Sequence, residues 1–114
     1  METVKIPEGV QVKLNVTISS DAIIGANIRL RNEIKSYQKN IFTHDLGDIS
    51  ILENEKMTIQ SLFHVDQNID QIMRVTQVIF EISYGDQNQK LTVKKKKIYS
   101  QLFVAYAYVK FTKL

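Results

Sequence analysis

Few residues in this chain could carry acid–base or metal chemistry. Its two histidines, His44 and His64, stand near Asp45, Asp48, Asp66 and Asp70. A zinc or iron centre needs three or four converging ligands, often at a His-x-x-x-His spacing that is missing here. A calcium loop alternates oxygen ligands and closes on a glutamate. Asp45-x-x-Asp48 and Asp66-x-x-x-Asp70 do neither. These acids are expected to cap turns and a helix start, and no metal or other cofactor is expected. Serines 19, 20, 36, 50, 61, 83 and 100 form no Gly-x-Ser-x-Gly elbow. Four scattered glycines cannot cradle a phosphate at a helix N-terminus. There is no Trp, and the five Tyr fall mostly in strand patterns, so a sugar-binding aromatic platform is not expected. The chain reads as non-enzymatic with no evident small-molecule substrate, an enzyme with an unrecognised site being the last of its readings.

Two other features are more informative. Lys90 and the run Lys94, Lys95, Lys96 and Lys97 form an anion-binding candidate for nucleic acid or an acidic surface. In an extended strand, however, Lys94 and Lys96 point one way and Lys95 and Lys97 the other. The run also lacks arginine, the bidentate phosphate reader. It reads first as an edge strand whose lysines block strand-to-strand aggregation, and nucleic acid is not the expected partner. The second feature is the run from Leu102 to Phe111, apolar on both faces. Phe103, Ala105, Ala107, Val109 and Phe111 share one face; Leu102, Val104, Tyr106 and Tyr108 share the other. A strand with two apolar faces needs cover on both. The first face, with small residues between large ones, is the candidate interaction surface, against a second sheet or a second chain.

The elements that must position these residues follow from period-two alternation. Val10, Val12, Leu14, Val16 and Ile18 alternate with polar residues and predict a strand, closed by a turn at Ser19-Ser20-Asp21. Ile24, Ala26, Ile28 and Leu30 predict a second, with a turn at Asn32-Glu33. A weaker third spans Tyr37 to Thr43, followed by a loop from His44 to Asp48, a short apolar piece from Ile49 to Leu52 and a turn at Glu53 to Lys56. Met57 to Val65 alternates again. Helical spacing of Ile69, Ile72, Met73 and Thr76 predicts one short helix or helical turn near 67–74 with Asp66 as N-cap. Val78 to Tyr84 is a strand, Gly85 to Asn88 a hairpin loop, and a further strand runs from Gln89 into the lysines.

About seven or eight regularly spaced strands predict an all-β, antiparallel β-sandwich, immunoglobulin-like or transthyretin-like. Ile24-Gly25-Ala26-Asn27-Ile28-Arg29-Leu30 resembles the G-A-x-V-x-L strand of carboxypeptidase regulatory-like sandwich domains. That resemblance covers seven residues and implies a sandwich, with no implication for function.

The whole chain, 1–114, is expected to be one domain. Its 114 residues, 44% hydrophobic and 24% charged, suit a packed core. No cysteine is present, which suits a reducing compartment. The opening Met1-Glu2-Thr3-Val4-Lys5-Ile6-Pro7 lacks the basic start and long apolar run of a secretory leader, so Asn15-Val16-Thr17 is not expected to be glycosylated, and a cytoplasmic location is expected. No stretch approaches the ~18 apolar residues of a membrane helix. The net charge is +3, and 12 of the 15 basic residues are lysine. The expected function is a non-catalytic structural or protein–protein interaction module, a homodimer or a subunit of a larger assembly. Polyanion binding through the 90–97 lysines is the alternative.

Overall fold

The computed structural model describes residues 1–20 and 22–114. Asp21, and with it part of the turn expected at Ser19 to Asp21, lies outside the described residues. So do the side chains of Ile23 and Ile24, and hence the face expected for Ile24. Ten strands occur among the described residues: β1 (Glu2–Ile6), β2 (Val12–Ser19), β3 (Ile23–Leu30), β4 (Glu33–Tyr37), β5 (Ile41–Gly47), β6 (Lys56–His64), β7 (Gln77–Tyr84), β8 (Gln87–Lys90), β9 (Lys94–Tyr99) and β10 (Leu102–Lys113). Two short helices join them, α1 (Ile49–Leu52) and α2 (Ile69–Val75). None of the described helices is long and apolar enough to cross a membrane.

The strands form two packed sheets, the all-β sandwich that alternation predicts. The larger sheet runs β1-β10-β6-β3-β4, with β9 also on β10; the smaller runs β5-β2-β7-β8. At twelve residues, β10 is long enough to pair with two strands on one side. Its first half takes β9 antiparallel and its second half takes β1. The β1–β10 pair is parallel, a departure from a purely antiparallel sandwich.

Alternation sets what is buried. In β2, Val12, Leu14, Val16 and Ile18 are each at most 3% exposed, while Lys13 and Thr17 face water. In β6, Met57, Ile59 and Phe63 are buried and their alternates are not. These side chains join Phe80 and Ile82 of β7 and Phe103 and Phe111 of β10 in one apolar cluster. Phe63 and Phe103, opposite one another on adjacent strands, stack at 4.6 Å.

Several boundaries differ from the sequence expectation, for a shared reason. The strand expected over 37–43 is two strands, β4 and β5, in different sheets, and β5 absorbs His44 to Gly47, expected as loop. The strand expected from Gln89 into the lysines is likewise β8 in the smaller sheet and β9 in the larger. Between them Leu91 is buried and its N–H donates to the Phe80 carbonyl. Alternation does not reveal a crossover between sheets, because both sides of the crossing are extended. β1 was not expected: it offers only Val4 and Ile6 to the core and gains its pairing from the free edge of β10. The helix forms near the expected place, but its N-cap is Asn68, left-handed at φ 59° and without a side-chain cap bond, rather than Asp66.

Candidate functional site

The acid–base candidates do not converge. His44 lies on edge strand β5 and its Nδ1 is 2.6 Å from the Tyr37 hydroxyl of edge strand β4. Tyr37 also stacks on Phe42 at 4.1 Å, so the pair closes the seam where the two sheet edges meet. Burial first, then the Lys35 ammonium, push the His44 ring below its usual value, and Asp45 opposes them. A cavity of about 220 Å³ at this seam has Ile28, Leu30, Leu46 and Ile51 as apolar walls, with Arg31, Glu33, Lys35 and Asp45 also lining it. Asp45 is next in sequence to His44, yet its carboxylate is 4.0 Å from Lys13, on the solvent face of the smaller sheet. Both His44 and Asp45 line the cavity, and the hydrogen bond of the His44 ring goes to Tyr37 rather than to Asp45.

His64 belongs to the other sheet, exposed, with Nδ1 3.8 Å from Asp66. Asp48 caps α1, accepting the Ser50 N–H at 2.9 Å. Asp70 sits in the first turn of α2 and accepts from Lys97 at 3.2 Å. Among the described residues no three His, Cys, Asp or Glu converge to hold a metal.

The five candidate lysines part three ways. Lys90 lies on β8 in register with Glu81. Lys95 and Lys97 are opposite Ala105 and Phe103, hence on the inner side of the larger sheet. There Lys95 donates to the Met73 carbonyl at 2.8 Å and to the Thr76 carbonyl. Desolvation holds the Lys95 ammonium below its usual value. Lys94 and Lys96, opposite Tyr106 and Val104, face outward. The run is an edge strand, but Lys95 and Lys97 anchor α2, so a single five-lysine anion site does not form.

The interaction candidates on β10 are also relocated. Phe103, Ala105, Ala107, Val109 and Phe111 are 0–3% exposed inside the chain's own core. As a central strand, β10 presents this face to the smaller sheet, and the two alanines admit that layer. They are not an exposed assembly surface. The alternate face, Leu102, Val104, Tyr106 and Tyr108, looks outward. Its cover fades along the strand, from Val104 at 9% exposed to Tyr108 at 48%.

Register extends this outward face across the sheet. Tyr108 is opposite Thr58, which is opposite Arg29, which is opposite Ile34. Tyr106, Gln60, Asn27 and Ser36 form the neighbouring row. Asn27, Arg29, Ile34, Thr58, Gln60 and Tyr108 line a shallow concavity of about 450 Å³. Ile34 is 56% exposed, and the Tyr106 and Tyr108 rings lie 5.5 Å apart.

The outward face of the smaller sheet carries exposed Ile41 and Ile79 on either side of Thr17, beside a network of polar side chains. Asn15 joins Ser83 and Thr43, Ser83 joins Asn88, and Lys13 pairs with Asp45. Polar groups there satisfy one another. The sequence did not single out Arg29, Asn27, Ile34, Thr58 or Gln60. They lie on three strands, and the available signal, the polar half of each alternation, shows no shared row until strand order is known. Comparison with family models, with curated proteins and with solved structures gives no match.

Proposed function

We propose that the protein is a non-catalytic interaction module that binds a protein partner through the outward face of its six-stranded sheet, as a subunit of a larger assembly. One observation carries this reading: Tyr108 and Ile34, 48% and 56% exposed, flank a concavity lined between them by Thr58, Arg29, Gln60 and Asn27. Protein interfaces concentrate binding energy in Tyr, Trp and Arg side chains near their centre, ringed by polar groups. Non-catalytic action is supported by His44, whose ring nitrogen is engaged by the Tyr37 hydroxyl. The divergence of Lys90, Lys95 and Lys97 favours this reading over polyanion capture by the 90–97 lysines.

The test is photo-cross-linking in the source cells. A benzoylphenylalanine in place of Tyr108 is expected to give a discrete protein adduct, and one in place of Thr43, on the opposite face, is expected to give none. Equal labelling from both positions, or none from either, counts against the reading.

A further inference from the structure

The outward face of the larger sheet is charged in one sense. By register, Lys5, Arg29, Lys56, Lys94, Lys96 and Lys110 project from it. Among the described residues, no Asp or Glu occupies an outward position on its strands. None of these cations is in an ion pair among the described residues; the pairs present involve Lys13, Arg31, His64, Lys97 and Lys113. Lys56 and Lys110 stand directly opposite one another, an arrangement of like charges that destabilises a sheet. The smaller sheet does the reverse and sets Lys13 opposite Asp45 and Lys90 opposite Glu81.

Resting on the interaction-module reading, we propose that this face docks an acidic protein surface. A second copy does not fit, because apposing two such faces brings cation against cation. The composition also favours protein over nucleic acid. Five of the six cations are lysines rather than arginine, the bidentate phosphate reader. Lys94, Lys96 and Lys5 lie to one side of Tyr106 and Tyr108, Lys110 and Lys56 lie beyond Tyr108, and Arg29 stands between Thr58 and Ile34. From the position of Lys96, opposite Val104, to Lys110 is about 20 Å along β10. Charges of this kind steer a complementary partner and fix its register, while the adjacent aromatics hold it.

The probes are a short oligoglutamate peptide and a single-stranded oligodeoxynucleotide of equal charge, titrated into the intact chain at near-physiological salt. Amide NMR shifts from the peptide are expected at Gln60, Tyr106 and Tyr108 and not at Thr43 or Glu81. The double variant K94E/K96E is expected to weaken peptide binding about tenfold, while K13E/K90E, the same change of charge on the other face, leaves it within about twofold. K94Q/K96Q, with an amide spectrum checked against the wild type, serves if the reversed variant misfolds, and the same direction is expected. Equal losses from both faces would reduce the effect to net charge and overturn the proposal. So would tighter binding of the oligodeoxynucleotide on this face. An adduct from position 108 without oligoglutamate binding would overturn the acidic partner and keep the module. Loss of the adduct itself removes the module reading.

Discussion

The Lys95 ammonium donates to the carbonyl oxygen of Met73, 22 residues earlier in the chain, at 2.8 Å. Met73 lies in the last turn of α2, where carbonyls have no partner within the helix. Lys95 also reaches the Thr76 carbonyl just past the helix end. An edge-strand lysine thus closes the C-terminus of the helix that carries the chain from the larger sheet to the smaller.

Replacing Lys95 by Met is therefore expected to lower unfolding stability by about 1.5–3 kcal/mol, the range for hydrogen bonds to a charged group. Lys97→Met is expected to cost less than about 0.5 kcal/mol, since its 3.2 Å pair with Asp70 is solvent-exposed. Urea denaturation of both variants decides. Equal losses would mean that Lys95 does not hold the helix end.

Stability is expected to fall on mild acidification because of His44. Its folded-state pKa lies below the ordinary 6.5, chiefly through burial and then through Lys35. The folded chain binds this proton more weakly than the unfolded chain, so the contribution is full above the unfolded value and is lost as pH falls through the folded one. A neutral ring with its proton on Nε2 accepts the Tyr37 hydroxyl at Nδ1, and protonation removes that acceptor. The urea midpoint is expected to drop between about pH 7.5 and about pH 5 in the wild type, and to drop less in His44→Asn. Parallel slopes in the two proteins would assign the effect to other groups.

Phe103 and Tyr108 are expected to part company on truncation. Phe103 is fully buried and stacked on Phe63, so Phe103→Ala is expected to cost about 3–5 kcal/mol. Tyr108→Ala, at a half-exposed position, is expected to stay within about 0.5 kcal/mol and to weaken partner binding instead. Calorimetry and binding together check the division. A large stability loss at Tyr108 would make the outward face structural.

Ser61 offers a test of the core. Its hydroxyl is buried between Ala26 and Ala105 in register and has no hydrogen-bond partner among the described residues. Ser61→Ala is expected to be neutral or stabilising by up to about 1 kcal/mol, because an unpaired buried hydroxyl costs more than an apolar isostere. A clear loss in chemical denaturation would show that the hydroxyl is bonded.

Much of this molecule was legible in the chain. Strict alternation in Val12–Ile18 and Met57–Phe63 determined which side chains are buried, because a strand's faces have period two. The same period split the lysine run into Lys94 with Lys96 and Lys95 with Lys97 before any neighbour was known. Strand partners were not legible, since pairing joins residues far apart in sequence: β1 meets β10 across the whole chain, and β8 and β9 enter different sheets. Nor could alternation orient β10, because both of its faces are apolar and either satisfies a core. The register that brings Arg29, Thr58 and Tyr108 into one row, and the opposing sheet that buries Phe103 and Phe111, decided that only in three dimensions.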